Sequence, residues 1–103
     1  MLELNDKTFT ETLENTPLVA VDFWADWCMP CKIFAPIMES LADELDGQAE
    51  FCKVNLDENN DLAQQYGITH IPTVLVFKEG ELVDRSMGSL PKEKIAEMVR
   101  KHI

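Results

Sequence analysis

The chain contains few of the residues that mark fibrous, disordered or disulfide-stapled proteins. Among 103 residues there are only four glycines, five prolines and three cysteines, which excludes a collagen-like repeat, a low-complexity tract and a dense disulfide framework. No apolar run approaches the length of a membrane-spanning helix, and no internal repeat or linker is present. The length and composition predict a single globular domain over residues 1–103.

Basic side chains are also scarce. Nine Lys and Arg residues stand against 19 Asp and Glu residues, so the net charge is −10 at pH 7. This charge repels phosphate backbones and anionic lipids, and it predicts neither a nucleic acid nor a membrane as partner. Residues 1–6 lack the pattern of a signal peptide, and an odd cysteine count suits a reducing compartment. A cytoplasmic monomer is therefore expected.

Hydrophobic periodicity predicts five strands and four helices. The strands are expected at 2–5, 18–24, 51–56, 73–77 and 81–85, and the helices at 6–13, 28–45, 60–66 and from Pro91 onward. This order predicts an α/β fold in which helices flank a central mixed five-stranded sheet. Proline inside a helix disrupts its hydrogen bonding, so Pro36 should kink the second helix. The last helix should bury one stripe, formed by Ile95, Met98, Val99 and Ile103.

Two cysteines lie where the second strand passes into the second helix. Cys28 and Cys31 are three residues apart, and helix neighbours at this spacing have Cβ atoms roughly 5–6 Å apart. Disulfides need Cα atoms about 4.4–6.8 Å apart, so the pair can form and break a bond with little backbone movement. The start of a helix favours negative charge and lowers a thiol pKa. Cys28 is therefore predicted to be the nucleophile and Cys31 the resolving thiol.

Asp22 interrupts the apolar run of residues 18–24. Burial of an unpaired carboxylate is costly and raises its pKa. A buried carboxyl beneath Cys31 would exchange a proton with that thiol, directly or through one water. The alternative is an edge aspartate paired with Lys53 on the neighbouring strand. The catalytic interpretation is favoured, because perturbed carboxyls cluster at functional sites.

The remaining candidates have more than one interpretation. Trp24 suits a mixed packing and positioning role, and Trp27 a surface role beside the thiols. Cys52, in a strand-like run, is expected to be buried and inert rather than regulatory. His70 is expected in a solvated loop and His102 at an exposed position near the end of the sequence.

A zinc site is also considered, because Cys-X-X-Cys forms half of many such sites. The other half is missing, since the third cysteine and the two histidines are scattered singly. No metal is predicted. No bound cofactor is required either, because the electrons reside in the cysteines.

Residues 22–32, Asp-Phe-Trp-Ala-Asp-Trp-Cys-Met-Pro-Cys-Lys, resemble the active-site stretch of the thioredoxin family. That stretch is typically Asp-Phe-Trp-Ala, one variable residue, then Trp-Cys-Gly-Pro-Cys-Lys. The resemblance covers essentially the whole chain, with further matches at Pro36, Lys53, Asp57, 66–68, 71–73, 77–78, Gly80 and Gly88. It implies the thioredoxin fold and a cis bond before Pro72, whereas the residues alone favour trans.

The resemblance also implies an activity and a set of site residues. The protein would reduce protein disulfides and be re-reduced by a thioredoxin reductase. Asp22 and Lys53 would form a buried proton-handling pair, with Trp24 and Pro36 as structural support. A substrate groove would be formed by Trp27, Met29, Pro30, Ile71, Pro72 and Gly88.

Met29 departs from the family pattern, since thioredoxins usually have glycine there. Because of this side chain, the family resemblance settles neither the reduction potential of the cysteine pair nor the type of reductase that reduces it.

Two other functions are weighed against a disulfide reductase. One is an oxidase or isomerase with the same fold, which would have a much less negative potential. The other is a binding module whose cysteines are idle.

Overall fold

One mixed sheet organises the fold in the computed structural model, which describes residues 1–103. The strands are β1 (Leu2–Leu4), β2 (Leu18–Trp24), β3 (Glu50–Asn55), β4 (Thr73–Lys78) and β5 (Glu81–Met87). The helices are α1 (Phe9–Asn15), α2 (Met29–Glu44), α3 (Asn60–Gln65) and α4 (Lys92–Arg100), with a 3₁₀ turn at Leu56–Glu58. The predicted order of elements is confirmed. None of the helices is long and apolar enough to cross a membrane.

The strands lie in the order β1-β3-β2-β4-β5. β1 and β2 both run parallel to β3, whereas β4 is antiparallel to β2 and to β5. The predicted mixed sheet is thus confirmed, with β2 at its centre. Phe23 near the end of β2 pairs with Thr73 at the start of β4. This register brings the segment after β2 beside the segment before β4.

Two apolar layers cover the faces of the sheet. Along β2, Leu18 and Ala20 pack with α2 and α4, and Val19, Val21 and Phe23 pack with α1 and α3. The alternation follows from the two-residue period of a strand. By the same parity Asp22 points towards α2.

The elements differ from prediction mainly at their ends. α1 begins at Phe9 rather than at residue 6, because the Asn5 side chain accepts the backbone N–H groups of Lys7 and Thr8 and holds a turn there. α2 continues across Pro36, which lies on its exposed side.

Two predictions near the end of α4 are wrong. Ile103 was expected to be buried and is 56% exposed, because α4 ends at Arg100 and its periodicity stops there. His102 was expected to be exposed, but its side chain is largely covered, with Nε2 3.1 Å from Oδ2 of Asp84. The last residues therefore lie against β5.

Candidate active site

The dithiol lies at the start of α2. Cys28 is the N-cap of this helix, and its backbone N–H donates to the carbonyl of Ala25 at 3.1 Å. The N–H of Cys31 donates to Sγ of Cys28 at 3.2 Å. The two cysteines are joined in a disulfide with a Cα–Cα distance of 5.3 Å. A backbone N–H and a helix N-terminus both favour negative charge at the atom they face, which here is Sγ of Cys28.

The segment before β4 covers one side of the dithiol. The bond between Ile71 and Pro72 is cis, as the family resemblance implied and contrary to the expectation from the residues alone. Sγ of Cys28 lies 3.8 Å from the carbonyl oxygen of Ile71. The N–H of Gly88 donates to the carbonyl of Pro72 at 2.8 Å, and Gly88 has a φ of +91°, which glycine adopts without strain. Residues far apart in sequence thus meet at Cys28.

Asp22 lies on the other side of the dithiol, in the interior. Its side chain is buried, and Oδ1 has no hydrogen-bond partner. A cavity of about 160 Å³ is lined by Asp22, Cys31 and Lys53, among others. This volume is ample for a water between the carboxyl and the thiol. Asp22 and Cys31 thus line one cavity.

Burial raises the pKa of Asp22 from its ordinary value of 3.8 to about 7, and the positive charge of Lys53 opposes this shift. The carboxyl therefore exchanges its proton near neutral pH. The alternative of an edge aspartate in an ion pair with Lys53 is wrong. β2 is the central strand, and although Asp22 and Lys53 are neighbours in the sheet register, the carboxylate within 4.0 Å of Nζ of Lys53 belongs to Glu3.

The two tryptophans differ in environment. Trp27 is 67% exposed, and its indole N–H donates to Oδ2 of Asp57 at 2.9 Å. Trp24 is half-buried, and Nζ of Lys53 lies 5.4 Å from the centre of its ring. Sequence reasoning gave Asp57 no role. The only signal for it was its place among the positions that resemble the family.

Exposed apolar side chains continue from the dithiol along α2. Met29 is 63% exposed, and Ile33, one turn later, is 62% exposed. Sequence reasoning missed Ile33, although it lies outside the buried stripe of α2. Met87, also overlooked, is 54% exposed beside Gly88. Such exposed apolar surface beside a reactive group favours contact with another molecule.

The remaining cysteine and the loop histidine make no recorded contact with the dithiol. Cys52 is fully buried, and burial followed by the charge of Glu50 raises its pKa to about 12, which makes it a poor nucleophile. His70 is exposed in the loop before Pro72, with Nδ1 3.0 Å from Oγ1 of Thr69. No three His, Cys, Asp or Glu side chains converge in a way that would hold a metal ion.

Comparison with known proteins gives one consistent result. The family model described as Thioredoxin matches residues 1–101. A thioredoxin of Chlorobaculum thiosulfatiphilum is 49% identical over 98% of this chain and 94% of its own length. A thioredoxin of Staphylococcus haemolyticus is 43% identical over 100% of this chain and 98% of its own. The solved structure of a mutant thioredoxin from Halobacterium salinarum superposes with a TM-score of 0.91 at 30% identity, over 98% of this chain and 88% of that one.

Proposed function

This chain belongs to the thioredoxin family, and from that premise we propose how its residues share the reduction of protein disulfides. The family and the Cys28–Cys31 pair make the protein a dithiol-disulfide oxidoreductase. Its substrates are disulfides and its electrons come from a reductase. The roles of single residues, given below, form the proposal.

Cys28 is the nucleophile. Its thiolate attacks one sulfur of a substrate disulfide, forms a mixed disulfide and expels the other substrate sulfur as a thiolate. Cys31 then attacks Sγ of Cys28, which forms the Cys28–Cys31 disulfide and releases the second substrate thiol. This assignment is supported by the N-cap position of Cys28 and by its 3.8 Å contact with the Ile71 carbonyl. Cys31 instead lines the interior cavity.

Asp22 is the general base for Cys31. The carboxylate takes the thiol proton through a water in the shared cavity, and the carboxylic acid returns a proton when the dithiol is regenerated. A pKa of about 7 allows both steps near neutral pH. Lys53 is the charge that opposes the rise of this pKa. The burial of Asp22 without a partner for Oδ1 carries the argument.

The substrate groove is proposed to surround Cys28, which is itself only 5% exposed. Trp27 and Met29 offer apolar surface there, and the backbone around Pro72 is held by Gly88. An extended segment of substrate would lie between them, on a surface formed by Trp27, Met29, Pro30, Ile71, Pro72 and Gly88. Trp24 and Pro36 would support the site from within β2 and α2.

The electron donor is proposed to be a thioredoxin reductase, with its type left open by Met29. Residues 1–103 are proposed to act as one domain and as a monomer. A reducing compartment such as the cytoplasm suits the free thiol of Cys52.

The proposal is tested with a disulfide-bonded peptide and three cysteine variants. Cys28→Ser should abolish reduction of the peptide, and Cys31→Ser should accumulate one equivalent of mixed disulfide at Cys28. Cys52→Ser is the matched control and should retain full activity. The reduction potential of the Cys28–Cys31 pair is measured as well: about −270 mV indicates a reductant, and about −120 mV indicates an oxidant. Peptide reduction that survives Cys28→Ser would refute the proposed mechanism.

A further inference from the structure

Three charged side chains form a row across three neighbouring strands. In the sheet register Glu3 of β1 pairs with Lys53 of β3, and Lys53 pairs with Asp22 of β2. Paired residues point to the same face of a sheet. The adjacent residues Leu4 and Val54 pack in the opposite apolar layer. The row therefore lies on the α2 side, where the cavity of Asp22 and Cys31 lies.

Within this row Lys53 is closer to the outer carboxylate. Nζ of Lys53 lies 4.0 Å from Oε1 of Glu3, and it lies over the ring of Trp24 at 5.4 Å from its centre. Asp22 has no ion pair, and its Oδ1 has no hydrogen-bond partner. The side chains of Glu3 and Lys53 are 52% and 37% exposed. The ammonium is thus placed at the solvent side of the cavity.

We propose that Glu3 is a positioning residue of this site, which holds the Lys53 ammonium towards β1 and so limits its attraction to the Asp22 carboxyl. Glu3 touches neither substrate nor dithiol and acts through Lys53. The inference rests on the proposed role of Asp22 as base for Cys31. Its consequence is that Glu3 sets how readily Asp22 gives up its proton near neutral pH.

Other residues, several of them charged, line the same cavity as Asp22. The cavity is lined on α2 by Cys31, Lys32 and Glu39, and before α2 by Asp26, while Met1 lies at its β1 end. None of these is within 4.0 Å of the Lys53 ammonium as an ion-pair partner. Replacing Glu3 leaves them in place, so a changed titration of Asp22 reports on Glu3 and Lys53.

The test is the titration of Asp22 in Glu3→Gln, followed by the carboxyl carbon resonance in the NMR spectrum. The Asp22 midpoint should fall by about 0.3 pH unit, the size expected for a partly exposed ion pair. The pH profile of mixed-disulfide resolution should move in the same direction. Glu50→Gln is the matched control, since it removes one negative charge from β3 on the opposite face. It should leave both midpoints unchanged.

Repeating the Glu3→Gln measurement in a protein that lacks Lys53 distinguishes an effect through Lys53 from direct repulsion between Glu3 and Asp22. In Lys53→Gln, adding Glu3→Gln should no longer move the Asp22 midpoint. A shift of equal size without Lys53, or no shift in Glu3→Gln itself, would overturn the proposal. A shifted Asp22 titration with an unchanged resolution profile would refute the base role of Asp22 and support the coupling of Glu3 to Asp22.

Discussion

The indole N–H of Trp27 donates a 2.9 Å hydrogen bond to Oδ2 of Asp57, thirty residues further along the chain. The backbone N–H of Asp57 in turn donates to Oδ1 of Asn55 at 3.0 Å. Asn55 is buried at the end of β3. The mostly exposed Trp27, next to Cys28 in the sequence, is therefore oriented by the turn that follows β3.

Removing the acceptor should weaken substrate reduction. We expect Asp57→Ala to lower kcat/KM for a peptide disulfide by about 2- to 10-fold, the value of one net hydrogen bond. The cause is loss of the preferred orientation of Trp27. Asp57→Asn keeps an oxygen acceptor and should retain most of the activity. Equal kcat/KM for Asp57→Ala and the parent protein would contradict this interpretation of the hydrogen bond.

Asp22→Asn should change the pH dependence of the resolving step. In the parent protein the rate at which Cys31 resolves the mixed disulfide should rise with pH through about 7, because the proposed base is the carboxylate form of Asp22. In Asp22→Asn the resolving rate should not rise through pH 7, and its pH dependence should follow only the ionisation of Cys31. Rapid-quench measurement of the mixed disulfide from pH 5 to 9 tests the difference. Identical profiles would exclude Asp22 as the base.

Asp22 should also make the folded protein less stable as pH rises. Its folded pKa of about 7 exceeds the ordinary value of 3.8, so between these values the folded state holds a proton that the unfolded state releases. Stability therefore falls from about pH 4 to pH 7 and is constant above that range. A shift of roughly three units corresponds to about 4 kcal/mol.

Denaturant unfolding of the oxidised protein measures this effect. The gain in unfolding free energy from Asp22→Asn should be larger at pH 8 than at pH 4 by a few kcal/mol. Comparing two pH values removes the cost of burying the asparagine itself. The control is Asp61→Asn, which removes an exposed carboxylate on α3 outside this cavity and should not reproduce the difference seen for Asp22→Asn. An equal gain at both pH values would mean that folding does not raise the pKa of Asp22.

The Met29 side chain should contribute to recognition of apolar substrates. Met29→Ala should lower kcat/KM for a peptide disulfide flanked by apolar residues by about 4- to 15-fold, as expected for losing one or two buried methylenes at about 0.8 kcal/mol each. The rate with a small polar disulfide should not change. Leu82→Ala, an exposed apolar residue of β5, is the control. An equal loss of kcat/KM with both substrates would mean that Met29 affects the reactivity of the dithiol and not the contact with apolar substrate residues.

Much of the frame was predictable from local patterns. The apolar run of residues 18–24 correctly predicted the first and last residues of β2. The spacing of apolar residues predicted each end of α2 to within one residue. The pattern failed for Ile103, because the periodicity continued past the point where the helix ends. It also failed for His102, because the contact with Asp84 joins α4 to β5.

The sequence by itself determined the dithiol. Cys28 and Cys31 are three residues apart at the start of a helix, so local geometry fixes their separation and the stabilisation of the thiolate. Tertiary structure alone decided that Glu3 lies beside Lys53 and that Asp57 holds the indole of Trp27, because strand register brings β1 and the end of β3 to these positions. Register depends on pairing between distant segments, and no local pattern specifies those partners.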